Sequence, residues 1–458
     1  MSVPFFGVET GLRALRTAQA ALDTASHNIA NAHTPGYSRQ RVEFQQTEPY
    51  TLPSQWRQIG ALQIGTGVAA RAITQARDAA LDTQLRGAYG DQGAMTAKQR
   101  ALSEVEEAVG EPGPNGISAA LARLFNSFQD LSVNPESTAA RHAVTASAAG
   151  VTGVFRRIAG RLDDTEAGLQ TRVQTGVAEV NDIARQIAQI NTQIRKVLVQ
   201  GDQPNDLRDQ RNMLLDRLAK KANITTVANP DGTMSVAIGG TFVVQATEDA
   251  PLAGIADLTA NGDLTGGELR GYLDAQAEVR AFAADLDGLA NAFLTEVNTL
   301  HQNGLDKNGA SGVALFTGAN ARDLTINPIV AADPDRVAAA SNTLPFAVGN
   351  GENALVLAGL ATRALTSGPL NNESLRDFWG GAASRLAVRV QSLDGDAESQ
   401  DAFVRQFQSR REAISGVSLD DEMADLVKFQ RAYQAAARII SMADELTGDL
   451  IASFGGRG

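Results

Sequence analysis

The sequence predicts a mainly α protein with a discontinuous terminal coiled-coil domain, a long helical bundle and a small inserted β-rich domain. Three observations support this prediction. Apolar residues recur at three- and four-residue spacing through most of the 458 residues, which is the period of an amphipathic helix. The same spacing marks both ends of the chain, and only a stretch near the middle alternates as strands do. Aromatic residues make up 5% of the chain, and the abundant Ala, Leu, Gln and Arg favour helices.

The C-terminal stretch, residues 418–453, has the longest coiled-coil pattern. Ser418 and Asp421 fit a capping box, and acidic residues fill the first turn, where the positive end of the helix dipole stabilises them. At 1.5 Å per residue, this helix measures about 50 Å. We expect its partner to lie at the other end of the chain. Its predicted seam, with the alternating spacing of a coiled coil, consists of Leu419, Met423, Leu426, Tyr433, Ala437, Ile440 and Ile451.

The N-terminal stretch repeats this pattern. Pro35 disfavours helical backbone at Thr34 and Gly36 permits a turn, so the helix should end near Asn31–His33. We expect the two terminal helices to pack against each other; the alternative is that each covers part of an ordinary globular domain. The N-terminal seam consists of Phe5, Val8, Leu12, Leu15, Leu22 and Ile29. A second face, of small residues that admit a neighbouring helix closely, consists of Ala14, Ala18, Ala21 and Ala25.

The middle of the chain predicts a bundle of helices interrupted by strands. An extended arm at residues 37–44 and a short hairpin or extended pair at residues 63–73 come first. Between residues 222 and 246, β-branched residues alternate around Asp231-Gly232 and Gly239-Gly240, which are strong hairpin turns. Helical spacing typical of an antiparallel bundle covers residues 78–109, 117–131, 138–194, 206–221, 268–303 and much of 353–414.

This order of elements brings both termini together and places the middle of the chain furthest from them. We therefore predict three domains, each assembled from separate segments. They are a terminal coiled-coil domain of residues 1–50 and 415–458, a helical bundle of residues 51–222, 265–303 and 350–414, and a β-rich outer portion of residues 223–264 and 304–349.

The composition argues against several classes of partner and site. The net charge is −12 and no run of Lys or Arg is longer than a pair, so we expect no nucleic-acid partner. There is no cysteine, which removes disulfides, thiolate metal sites and cysteine nucleophiles. No segment approaches the ~20 apolar residues of a membrane span. The N-terminal stretch lacks a charged leader followed by an apolar core, so we expect any export to use another route.

The sequence predicts no catalytic, cofactor-binding or metal-binding residue. No pair of the histidines has the spacing of a zinc-protease helix, and there is no serine elbow or phosphate-binding loop. Asp420 and Glu422 belong to a helix start rather than to a pair of catalytic carboxylates. A hydrolase carried in the outer portion remains the alternative from a different functional class. The four histidines are His27, His33, His142 and His301.

The two ends of the chain together resemble the terminal signatures of the bacterial flagellar axial proteins, the family of rod, hook and hook-associated proteins. Residues 26–40 read SHNIANAHTPGYSRQ, and residues 416–438 include GVSLDDEM and FQRAYQAAAR. The form of the first motif, and the looser similarity of residues 134–141, 206–221 and 304–309, favour the hook-associated members. A hook or distal-rod protein is the alternative within the family, against which the long central bundle argues.

The resemblance implies a non-enzymatic structural subunit of the junction ring between hook and filament, which self-assembles through its paired terminal helices. It implies four partners: further copies of the chain in a helical ring, hook protein below, a second hook-associated junction protein above, and an export chaperone on the C-terminal helix. It also implies type III export from the cytoplasm to the extracellular flagellum, with terminal helices that fold on assembly. The implied assembly residues are both seams and the signature residues Asn28, Ile29, Asn31, Thr34, Pro35, Gly36 and Tyr37.

Overall fold

A computed structural model describes residues 6–49, 65–259, 264–343, 345–366 and 368–455. Its helices are α1 (Phe6–Ala30), α2 (Ala79–Val109), α3 (Ile117–Val133), α4 (Thr138–Val199), α5 (Asn205–Lys221), α6 (Ala256–Thr259), α7 (Glu268–Asn303), α8 (Pro328–Ala332), α9 (Glu352–Ala358), α10 (Leu375–Ser415) and α11 (Leu419–Gly455). Its strands are β1 (Gln40–Gln46), β2 (Val68–Gln75), β3 (Ile224–Ala228), β4 (Met234–Ile238), β5 (Thr241–Gln245), β6 (Glu248–Asp249), β7 (Phe316–Thr317) and β8 (Thr325–Ile326). The mainly α class is confirmed.

The two terminal helices, α1 and α11, pack against each other in antiparallel orientation. Near one end of the pair, a Cβ added to Gly11 would lie 2.8 Å from Ile440 Cγ1. Near the other end, the Asn28 amide donates to a Glu422 carboxylate oxygen at 3.0 Å. The predicted pairing of the chain ends is therefore confirmed, across almost the whole length of the sequence.

Strands β1 and β2 form an antiparallel ribbon that packs on α1. Their register runs from Gln40 opposite Gln75 to Gln46 opposite Val68, with a bulge at Glu43 and Phe44. The sequence predicts a local hairpin or extended pair within residues 63–73, but the strand that begins at Val68 pairs with the distant arm instead. The part of the predicted hairpin before residue 65 lies outside the described residues.

Helices α2, α3, α4, α7 and α10 surround the larger of two main groups of buried apolar side chains, which we call the central cluster. Polar caps begin three of these helices: the side chains of Asp78, Ser137 and Ser374 accept hydrogen bonds from first-turn amides of α2, α4 and α10. Phe293 stacks on Phe155, with ring centroids 6.1 Å apart. Such caps and close aromatic packing are typical of a complete, stable core.

Strands β3 to β6 form a four-stranded antiparallel sheet in sequence order. Gly232, Gly239 and Gly240 have positive φ angles, so the two predicted turns are present and use the conformational freedom of glycine. The sheet packs on the second half of α4 and on α5, where Val173, Leu215 and their neighbours form the second main group, the sheet cluster.

The two segments predicted as one β-rich portion pack in different places. Residues 223–264 contribute to the sheet cluster, whereas the short β7–β8 pair and its flanking loops, within residues 304–349, join the central cluster. The physical reason is that both segments pack on α4 at different places, the sheet on its second half from Val173 onward and the β7–β8 region on its first half. The division of the whole chain into domains stays a prediction.

Candidate assembly site at the terminal helix pair

Small residues form the contact between α1 and α11. Gly11, Ala18, Ala21 and Ala25 of α1 are buried, and Ala436 is buried on α11. Side chains of this size let two helix backbones approach closely, as in other small-residue helix pairs. This is the face that the sequence predicts as the second, small-residue face of the N-terminal helix.

Most of the predicted seam residues lie beside this contact, although Ile440 reaches Gly11 within it. Leu12, Leu419 and Met423 are 39%, 43% and 54% exposed. The pair therefore leaves these three seam residues exposed, because the alanines bring the two backbones together first. The other described seam residues are half-buried: Val8, Leu15, Leu22, Ile29, Leu426, Tyr433, Ala437 and Ile440. Phe5 and the side chain of Ile451 lie outside the described residues.

Helical geometry places the seams of α1 and α11 on the same side of the pair. Leu15 and Leu22 lie three residues before and four after Ala18, so they border one edge of the buried face of α1. On α11, Leu426 and Tyr433 border the face of Ala436 in the same way. Because the helices are antiparallel, these two edges adjoin. The two seams together form a single apolar surface, which we call the open seam face.

The β1–β2 ribbon occupies the opposite side of the pair. The Thr17 hydroxyl reaches the Val68 carbonyl at 3.4 Å, and Arg13 donates to the Thr66 carbonyl at 3.2 Å. The ring of Phe44 packs on Phe429 of α11, with centroids 6.1 Å apart. The ribbon therefore covers one side of the pair and leaves the open seam face uncovered within the described chain.

The signature residues around Asn28 join α1, the arm and α11. The Asn28 amide nitrogen donates to the Gln40 carbonyl at 2.9 Å and to Glu422 at 3.0 Å. Its oxygen accepts from the Tyr37 hydroxyl at 2.7 Å and from the Gln40 amide at 3.0 Å. A buried asparagine with both donors and its acceptor satisfied fixes the geometry around it.

Residues 37–40, which we call the strap, are extended and direct alternate side chains to opposite sides. Tyr37 and Arg39 face the terminal helices, where Arg39 Nε donates to the buried Glu422 carboxylate at 2.5 Å. Ser38 and Gln40 face α5 instead, as described below. The sequence assigns Glu422 to the helix start alone, and the structure adds this ion pair as a correction.

Ser38 binds Asp209 of α5 through two hydrogen bonds. Its amide and its hydroxyl donate to the two carboxylate oxygens, at 2.9 and 2.8 Å. Arg77 lies 3.3 Å from the same carboxylate. Burial raises the pKa of Asp209, while the two Ser38 hydrogen bonds and the Arg77 charge lower it in part. Burial also raises the pKa of Tyr37, as do the charges of Asp206, Asp209 and Glu422.

The remaining signature residues shape the turn before the strap. The Thr34 hydroxyl donates to the Asn31 side chain at 3.1 Å, and Pro35 is exposed. Gly36 has a φ of +78°, and a Cβ there would collide with the side chain of Met213. The backbone angle therefore favours glycine, and the Met213 side chain of α5 would have to move to admit any Cβ at this position.

The structure thus divides the predicted assembly residues into two groups. The seam residues lie on the open seam face, whereas Asn28 and Tyr37 belong to contacts within the chain. Sequence reasoning missed the residues that these contacts join. One signal was available, because three of them lie in the SRQ of the signature. The missed residues are Ser38, Arg39, Gln40, Arg77, Asp206, Asp209 and Glu422.

Among the described residues, no three or more His, Asp or Glu side chains are grouped as metal ligands would be. His301 is buried, donates from Nδ1 to the Val313 carbonyl, and accepts from the Ala338 amide at 3.0 Å. Both ring nitrogens therefore have structural partners. In the same described segments, none of the helices combines the length and apolar character needed to cross a bilayer.

Comparison with known proteins identifies the family. A Bacillus subtilis (strain 168) protein named flagellar hook-associated protein 1 is 30% identical to this chain, and the match covers 99% of each. The chain belongs to the flagellar hook-associated protein 1 family. The member from Escherichia coli (strain K12) is 23% identical, with 97% of this chain and 99% of the relative covered. The family resemblance predicted from the two ends is confirmed.

Family models agree with this assignment. The model described as the flagellar hook-associated protein FlgK helical domain matches residues 102–316. Two rod-protein models match the ends: the flagella basal body rod protein model at residues 9–37 and the C-terminal model of the basal body rod FlgEFG proteins at residues 408–453. The chain is therefore a flagellar structural component of the hook-associated protein 1 family, which is not a family of enzymes.

A solved structure shares the fold. It is the structure of the flagellar hook junction protein FlgK from Burkholderia pseudomallei, which is 15% identical to this chain. The match has a TM-score of 0.64 and covers 73% of this chain and 100% of the solved one. The mainly α architecture of this hook-associated protein 1 family member is thus also seen in an experimental structure.

Proposed function

We propose that this chain is a subunit of the junction ring that joins hook to filament, and that it self-assembles through the open seam face. The observation behind the proposal is that small residues make the contact within the pair, while apolar seam residues such as Leu12 and Met423 stay exposed. A coiled-coil seam is complete only when a further helix packs on it.

A second copy of the chain is the proposed occupant of this face. Burying a Leu or Met side chain contributes about 1.5–3 kcal/mol, so several seam residues per contact supply the free energy of a stable interface. The seam is polar at Gln19, Gln430 and Asp444, which weakens pairing outside an ordered assembly. We therefore expect the far end of the terminal pair, the first turns of α1 and the last turns of α11, to be partly disordered in the free subunit and to become fully ordered when the ring forms, while the end held by Asn28 and Glu422 stays paired.

The other partners and the location extend this proposal. We infer that the ring contacts hook protein on one side and a second hook-associated junction protein on the other, and that a chaperone holds the C-terminal helix before type III export. The mature location is then the extracellular flagellum. Membership of the hook-associated protein 1 family supports each inference, because the match to the Bacillus subtilis member extends over 99% of both chains.

The test replaces the most exposed seam residue of α1 and that of α11. The double variant Leu12→Ser, Met423→Ser is expected to fold normally, because both side chains are exposed in the subunit. In a strain that lacks its own copy of the protein, it should abolish swimming and leave hooks without filaments in electron micrographs. The loss follows because two buried apolar contacts per interface would be removed.

A matched control replaces two exposed apolar residues of α10. Val388→Ser and Phe403→Ser remove side chains that are 65% and 55% exposed and lie outside the open seam face. This control should restore swimming and attached filaments. Wild-type filaments on cells that express the seam variant would contradict assembly through the open seam face.

A further inference from the structure

The terminal pair and its ribbon are attached to the bundle by polar contacts. We call α1, β1, β2 and α11 the terminal unit. None of the three groups of buried apolar side chains in the described segments includes a residue of this unit. An apolar core normally fixes the angle between two packed bodies. Here hydrogen bonds and ion pairs must fix it.

The main polar contact joins the strap to a buried carboxylate of α5. Ser38 and Asp209 are both buried, and their two hydrogen bonds measure 2.9 and 2.8 Å. Arg77 donates to the Ser38 hydroxyl at 3.1 Å and also contacts Asp209. Charge-assisted hydrogen bonds in a buried position are stronger and more directional than exposed ones. This group therefore fixes both the position and the direction of the strap.

Further contacts lie along the same face of α5. Gln40 donates to Asp206 at 2.8 Å, and the Asn205 amide donates to the Gln40 side chain at 3.2 Å. Two turns further along α5, Met213 packs against Gly36. Residues 206, 209 and 213 recur at helical spacing, so one stripe of α5 holds the whole strap.

The strap also holds the start of α11. The Arg39 amide donates to the carbonyl of Ser415 at 2.8 Å. Ser415 is the last residue of α10. The Arg39 side chain binds Glu422 of α11. Residues 416–418 between these two helices are not helical. The strap thus bridges the joint at which the chain passes from the bundle to the terminal unit.

We propose that the strap is a latch that sets the angle between the terminal unit and the bundle. Opening it allows the terminal unit to rotate about its two covalent connections, residues 76–78 and 416–418. Such hinges are short segments at the ends of helices or strands. The latch is a property of the single subunit, so it does not depend on the open seam face or on ring assembly.

The experiment measures distances between spin labels in the full chain. The protein has no cysteine, so each distance requires only one introduced pair of cysteines at exposed positions, each carrying a spin label. The pair Ser26→Cys, Gln406→Cys reports the angle between unit and bundle. The pair Ser26→Cys, Gln434→Cys reports the terminal unit alone, and the pair Gln129→Cys, Ser399→Cys reports the bundle alone.

The latch is opened with Asp209→Ala and compared with Gln210→Ala, a matched change at the adjacent, exposed position. In Asp209→Ala we expect the unit-to-bundle distance distribution to broaden by about two-fold or more, because an unlatched hinge samples several orientations. The other two distributions should stay as narrow as in the parent. In Gln210→Ala all three should be unchanged.

Two outcomes would overturn the latch. One is an equally broad unit-to-bundle distribution in the parent and in Asp209→Ala, because the strap then does not set the angle. The other is broadening within the terminal unit or within the bundle, because Asp209 then supports folding rather than orientation. Failure of ring assembly in cells leaves this measurement unaffected, so the two proposals are separable.

Discussion

The central bundle and the terminal helix pair bury apolar surface in opposite ways. The bundle encloses large side chains such as Phe155, Phe293 and Trp379 completely. The terminal pair instead buries alanines and leaves leucines and methionines partly exposed. The bundle is therefore a complete core, whereas the pair is half of one. From this difference we infer that the bundle provides most of the stability of the subunit, whereas the terminal pair provides its capacity to assemble.

The largest expected effect is in the central cluster. Phe155→Ala should lower the free energy of unfolding by about 3–5 kcal/mol, the usual cost of a cavity left by a buried phenylalanine. The same truncation of a seam residue, Leu22→Ala, should cost well below that, because Leu22 is only half-buried. Urea unfolding followed by circular dichroism would measure both. Equal losses would contradict the contrast between a complete and an incomplete core.

A smaller effect concerns the dependence of the free energy of unfolding on pH. Burial lowers the pKa of His301 to about 4 from its ordinary 6.5. Between these values the unfolded chain takes up a proton that the folded chain does not, so stability falls as pH drops from 6.5 towards 4. The full loss is about 3 kcal/mol, at about 1.4 kcal/mol per pKa unit.

The measurement is urea unfolding at several pH values. His301→Gln should remove this component of the pH dependence, whereas the exposed His142→Gln should keep it. A wild-type pH slope in the His301 variant would show that this histidine does not contribute. Because His301 lies in the bundle, the measurement also distinguishes acid loss of the bundle from any change at the terminal pair.

The smallest effect on the whole subunit is expected inside the terminal pair. Gly11→Val adds bulk where a Cβ would already lie 2.8 Å from Ile440. Overpacking of this kind costs about 1–3 kcal/mol. The loss should destabilise the packing of α1 on α11 and leave the stability of the bundle unchanged. Hydrogen exchange should therefore speed up in α1 and α11 only. Gly87→Val, at a helical glycine with open space around it, is the control for helix propensity.

Periodicity in the sequence predicts most of the fold, because a helix that packs on a core must repeat its apolar residues every three or four positions. It also predicts both faces of α1. It does not rank them: the leucines give the stronger signal, but the alanines make the contact within the chain. That choice depends on how closely two backbones can approach, which the spacing of a single helix does not contain.

The strap could not be predicted from local pattern for a different reason. Ser38 and Asp209 are separated by 171 residues, and Asn28 and Glu422 by 394. Hydrogen bonds between polar residues so far apart leave no periodic trace in either segment. The signature pointed to residues 37–40 as a group, but only the three-dimensional structure shows that they connect two bodies of one chain.

Helix α4 has a consequence for how the subunit responds to force and heat. Its 62 residues make it about 93 Å long at 1.5 Å per residue, and it contributes Val151 to the central cluster and Val180 to the sheet cluster. One unbroken helix thus runs through both. We expect the two clusters to melt in a single cooperative transition. Because α4 is continuous between the two clusters, a force applied to the sheet would be transmitted directly to the bundle.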